Sequence, residues 1–120
     1  MDMNDALFTK EEYLKMFSES PVMQGARVKL LKYHFAQPNY LTSAPDLAKA
    51  MGYANFNAAN LQYGSFAKTL ITSMGWEDRI KDCDALYGLA YFYPPELPEH
   101  PYWEWELRPE AVEALKELGW

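Results

Sequence analysis

The sequence predicts a single α+β domain, mostly helical, with one β-hairpin towards its C-terminal end. Three observations carry this. Capped stretches with apolar residues three and four apart recur along the chain, as amphipathic helices require. YWEWEL at residues 102–107 alternates strictly, sending Trp103, Trp105 and Leu107 to one side and Glu104 and Glu106 to the other. Between it and the aromatic run ALYGLAYFY at residues 85–93 lies PPELPEHP, a proline loop that neither a helix interior nor a central strand tolerates.

Each element follows in order. Thr9 opens TKEE, a Thr-x-x-Glu capping box for a helix to about residue 18, with Tyr13, Leu14 and Phe17 as its apolar stripe. Ser20 and Pro21 cap a second helix that runs to about Ala36, where Gln37-Pro38-Asn39 stops it. Val28, Leu31 and Phe35 are its expected core residues. Tyr40-Leu41-Thr42 suits one short strand. A second capping pattern at Ser43 to Asp46 starts a third helix, and Gly52 ends it in a left-handed turn. The fourth helix offers two apolar stripes. Ala58 and Leu61 form one, and Ala59, Tyr63, Phe66, Leu70 and Met74 form the longer. Gly64 lies between them, a place for a kink or a close approach. Gly75 closes this helix, and an acidic connector at residues 76–84 has room for one helical turn. Arg108-Pro109 opens a last helix with Val112, Leu115 and Leu118 inward, ended by Gly119.

At 120 residues the chain is long enough for a core of its own, and 49% apolar with 16% aromatic content excludes a disordered polymer. One cysteine, Cys83, excludes an internal disulfide and suits a reducing cytoplasm. No apolar run reaches membrane-spanning length, and the opening MDMNDALFTKEE is acidic where a signal peptide is basic. A cytoplasmic protein without a membrane partner is the expectation.

The net charge of −6 is uneven. Residues 1–20 hold five acids against two bases (−3), residues 21–75 five bases against Asp46 alone (+4), and residues 76–120 eleven acids against four bases (−7). Affinity for phosphate depends on local Lys and Arg rather than on the whole-chain total. The basic middle segment therefore keeps a nucleic-acid partner open, while the acidic flanks argue against tight stand-alone binding.

Residues 43–74, with Leu47 and Met51 on one face, Ala48 at the crossing, Gly52 four residues on and Ala58 and Leu61 beyond, resemble a helix-turn-helix module. A short helix pair of a purely structural bundle has the same outline. Helix, short strand, helix pair and hairpin in this order resemble a winged-helix domain over about residues 20–107, with extra helices at both ends. The resemblance implies DNA recognition by the helix after Gly52. A DNA-binding wing is usually basic at its tip, and Glu96 and Glu99 depart from that pattern. YLTSAPDLAKAMGYANFNAANLQYGSFAKTL with RPEAVEALKELGW is also similar to a bacterial domain found in short stand-alone proteins and at the front of some HNH-type nucleases. This implies an accessory or targeting module of a nuclease or defence system, since the chain carries no HNH metal motif.

Catalytic signals are sparse. His34 and His100 fall on different elements, and neither His-x-x-x-His nor Cys-x-x-Cys spacing occurs, so neither a zinc site nor a cofactor is expected. There is no phosphate-binding glycine loop and no Gly-x-Ser-x-Gly elbow. Glu96, Glu99, Glu104 and Glu106 read as a solvated acidic hairpin. No enzymatic activity is expected.

Two functions remain. In the first, Asn55, Asn57, Asn60 and Gln62 present amides to base edges, where Asn and Gln pair with adenine, while Lys49, Lys68, Arg27, Lys29 and Lys32 hold the phosphate backbone. Taken singly, each of Arg27, Lys29 and Lys32 reads more simply as part of an ordinary solvated face. In the second, the scaffold is an inhibitor or adaptor of a nucleic-acid enzyme, binding protein through its acidic hairpin in imitation of DNA. The aromatics Tyr87, Tyr91, Tyr93, Tyr102, Trp103 and Trp105 are mostly core material; any left exposed suit base stacking or an interface hot spot.

Overall fold

Thr9 sets the first helix as its sequence requires. Its hydroxyl accepts from the Glu12 N–H at 3.1 Å, and the Glu12 carboxylate accepts from the Thr9 N–H at 2.9 Å. The capped segment is α1, Lys10–Glu19, in a computed structural model that describes residues 7–95 and 101–120. Ser20 again caps, but only a short 3-10 helix, Pro21–Gln24. Gly25 takes an extended conformation (φ −85°, ψ 170°), so the single helix expected from residue 20 to 36 is broken, and α2 covers only Val28–Ala36. Its inward face is also turned from the expected one. Leu30, Leu31 and His34 are buried, whereas Val28 and Phe35 are only half-buried.

After the chain passes Asn39 and Tyr40, both in the left-handed region, β1 (Leu41–Ser43) leads directly into α3 (Ala44–Met51). Ser43 caps α3 through Asp46 N–H, and Gly52 at φ 75° ends it, both as the sequence demands. Asn55 caps α4, Phe56–Ser73, by accepting from Ala58 N–H at 3.0 Å. Of the two stripes on α4 the longer wins. Ala59, Tyr63, Phe66 and Leu70 are buried and Met74 is half-buried, while Leu61 is 69% exposed. Tyr63 lies two residues, about half a turn, from Leu61 and packs against His34 and Trp105, so both cannot face the core. Met51 is half-buried beside fully buried Leu47.

The aromatic run is not all strand. Ala85–Gly88 forms a 3-10 turn capped by Asp84, and only β2, Ala90–Tyr93, pairs antiparallel with β3, Glu104–Leu107. β1 pairs antiparallel with the other edge of β3, giving the order β1-β3-β2. Trp105 and Leu107 point into the core, whereas Trp103, expected inward, precedes the strand and is 47% exposed. Glu96, Glu99 and His100 lie outside the described residues. α5, Pro109–Glu117, buries Val112 and Leu115 with Ala111 and Ala114 and packs on α1; Leu118 falls after its last turn and is 40% exposed, against expectation.

One cluster of buried residues joins these elements, from Phe8 and Tyr13 through Leu47, Phe66 and Leu70 to Trp105 and Leu115. Arg108 is buried with them. Its Nε donates to the Tyr87 carbonyl at 2.7 Å and its guanidinium lies 4.7 Å from the Tyr91 ring centroid, tying the 3-10 turn to the sheet. No helix among the described residues is long and apolar enough to cross a membrane.

Candidate functional site

The side of α4 that faces solvent carries Asn57, Asn60, Leu61, Lys68 and Thr72, with Gly64 and Ser65 half-buried among them. The helical repeat puts them there: the buried stripe takes the opposite arc, and residues four and seven apart align on the free one. No Asp or Glu occurs anywhere in the 18 residues of α4. Arg27, at the start of α2, reaches across to this helix, where its Nη1 donates to Ser65 Oγ at 2.8 Å. Lys68 stands three residues further along α4, so these two cations share one side of the molecule.

The other expected residues are placed differently. Asn55 is spent on the α4 cap, and Gln62 is half-buried. Lys49 is exposed in the last turn of α3. Lys32 lies 5.7 Å from the Trp120 ring centroid, which draws it towards the end of the chain. Lys29 is exposed three residues before it on the same side of α2.

A cleft of about 630 Å³ opens between the first turns of α4 and the hairpin. Phe56, Tyr102 and Trp103 form its mouth, each 40–47% exposed, and the Phe56 and Tyr102 rings are 5.5 Å apart. Phe92 and Trp105 line it deeper, their centroids 6.2 Å apart. Asn60, Gly64 and Asp84 make its polar wall. A shallower depression shares those same three residues and continues to Lys68, Ser65 and Cys83. The Asp84 carboxylate is fixed by one oxygen, which accepts from Leu86 N–H at 2.9 Å. Sequence reasoning singled out Tyr102 and Trp103 as aromatics of double meaning. It missed Phe56 and Asp84, because their meeting needs the hairpin to fold over α4.

The titratable groups here do not suggest nucleophilic chemistry. Burial, and then the Asp84 and Asp82 carboxylates, push the Cys83 thiol up, the reverse of what an attacking thiolate needs. His34 is completely buried and does not line the cleft. Tyr93 is pushed up to about 12, first by its 2.6 Å hydrogen bond to Glu106 Oε1. Among the described residues no group of three or more His, Cys, Asp or Glu side chains could hold a metal ion. Comparison of the chain with family models, with curated proteins and with solved structures finds no match.

Proposed function

We propose that this domain is a non-catalytic nucleic-acid recognition module of winged-helix type, with DNA as its partner and α4 as the helix that meets it. The observation that carries the reading is the free face of α4: amides and a lysine, with no carboxylate among the helix's own 18 residues and Asp84 of the neighbouring turn bordering it, in a chain of net charge −6. Arg27 beside Ser65 adds a second cation to the same side. The element order and the β1-β3-β2 sheet support the winged-helix assignment. The role is that of an accessory or targeting module in a larger cytoplasmic nuclease or defence system.

Fluorescence anisotropy of labelled duplexes across a salt series tests this. Binding weakens as salt rises, because phosphate contacts release counterions. Lys68→Ala lowers the slope of log K against log salt by about one. A flat salt response, or no binding at low salt, overturns the proposal. One observation favours a protein partner instead: Phe56, Tyr102 and Trp103, all 40–47% exposed, gather at the mouth of the cleft like an interface hot spot. On that reading, loss of partner binding follows Trp103→Ala but not Lys68→Ala.

A further inference from the structure

We infer that the aromatic cleft takes a single unstacked nucleobase, held beside Lys68 by its own phosphate; this rests on the nucleic-acid reading above. A volume of about 630 Å³ falls in the range of roughly 300–1,000 Å³ typical of small-ligand sites. Its walls suit a flat, aromatic, neutral guest. Tyr102 and Trp103 stand half-exposed at the mouth, and rings of this kind stack on any base. The polar wall suits the edge of that guest. Asn60 offers a donor and an acceptor, and the second oxygen of the fixed Asp84 carboxylate only accepts. Such a pair favours bases that present an exocyclic amine.

The shared wall settles where the phosphate goes. Because Asn60, Gly64 and Asp84 border both the cleft and the shallower depression, a base in the first has its sugar and phosphate within reach of the second, where Lys68 supplies the cation and the Asp84 carboxylate stands on the shared wall. A bare organic cation would also favour ring faces and a carboxylate. Lys68 in the continuing depression weighs against it. Gly64 keeps the passage open, since a Cβ there would stand 4.0 Å from Asp84 Oδ1.

The test compares three labelled DNA probes with the full chain: a paired duplex, the same duplex with one bulged adenine or cytosine, and that duplex with an abasic bulge. The bulged base binds more tightly than the other two. Trp103→Ala abolishes this preference, a loss of about 5- to 150-fold for the bulged probe, and Trp103→Phe restores most of it. Trp103 precedes β3 and is 47% exposed, so both variants keep the fold, checked by unchanged thermal unfolding. A bulged thymine binds less tightly than adenine or cytosine, and Asp84→Asn, which still caps Leu86, narrows that difference. Equal binding of all three duplexes with the Lys68-dependent salt slope intact overturns the cleft but leaves the function standing. Binding of none of the probes sinks both. Trp103-dependent binding of tetramethylammonium or an arginine-rich peptide, without oligonucleotide binding, shows instead that the cleft takes cations.

Discussion

His34 Nδ1 lies 2.7 Å from the Tyr63 hydroxyl, inside a core that neither residue shares with solvent. The opposite nitrogen, Nε2, is 2.9 Å from the Trp105 carbonyl, which can only accept. Nε2 therefore carries the proton, Nδ1 accepts from Tyr63, and the neutral ring bridges α2, α4 and β3. Burial outweighs the carbonyl hydrogen bond and pushes His34 down to about 4. The unfolded chain, with an ordinary imidazole near 6.5, binds the proton that the folded one refuses. Stability is complete above about pH 6.5 and falls as pH drops towards about 4, by about 3 kcal/mol from this residue. Urea midpoints measured across that window check it. His34→Gln flattens the slope there, and an unchanged slope contradicts the assignment.

Tyr63→Phe leaves His34 Nδ1 buried without its donor. The expected loss is about 1–3 kcal/mol, although hardly any volume changes. A loss below about 0.5 kcal/mol in urea unfolding means that the hydrogen bond contributes nothing.

Gly88 is a close-approach glycine. A Cβ there would meet Ile71 Cδ1 at 2.6 Å and Phe8 Cε2 at 3.2 Å, and its carbonyl already accepts from the Tyr13 hydroxyl at 2.6 Å. Gly88→Ala costs about 1–3 kcal/mol through overpacking. Ile71→Val removes the nearest atom, so the double variant loses less than the two single losses added together. Additive losses in chemical denaturation place the clash elsewhere.

Gly64 behaves in the opposite way. It sits inside α4, where a Cβ would make only an ordinary contact with Asp84 Oδ1 at 4.0 Å, so Gly64→Ala stabilises the helix by about 0.5–1 kcal/mol. The melting temperature rises by about 2–5 °C. If the cleft is the binding site, that gain comes with weaker binding, since the added methyl narrows the passage past Asp84. A lowered melting temperature refutes the first half of this prediction.

Asn55 and Asn57 separate a cap from a reader. Asn55→Ala removes the bond to Ala58 N–H and costs about 1 kcal/mol of stability. Asn57→Ala leaves the melting temperature unchanged and lowers discrimination at one base pair by about 1–3 kcal/mol. Unchanged binding by the Asn57 variant removes it from the readout.

The sequence made local signals plain wherever a few neighbouring residues decide the outcome. The Thr9–Glu12 box, the Ser43 cap, the left-handed Gly52 and the inward Trp105 and Leu107 all depend on short-range rules. What it hid was decided at a distance. The break at Gly25 and the 3-10 turn at Ala85–Gly88 compete closely with regular helix and strand, and packing against α4 tips each of them. Leu61 and Trp103 look like core residues on hydrophobicity alone. Their exposure follows from which stripe α4 turns inward and where β3 begins. The cleft was least visible, because Phe56 and Tyr102 meet only after the hairpin has closed.

The place of β3 in the middle of the sheet has a consequence for biosynthesis. β1 emerges from the ribosome long before β3, and until Glu104–Leu107 are made it has no strand to pair with. Ser43 ends β1 and caps α3 through Asp46 N–H, so one residue joins the strand that waits for β3 to a helix whose cap is local. α3 and α4 pack on each other and are both made before β3, but the sheet that β1 belongs to closes only when β3 is present. A chain truncated before residue 104 therefore leaves β1 and β2 without their shared partner and lacks Trp105, Leu107 and the α5 side chains that complete the core.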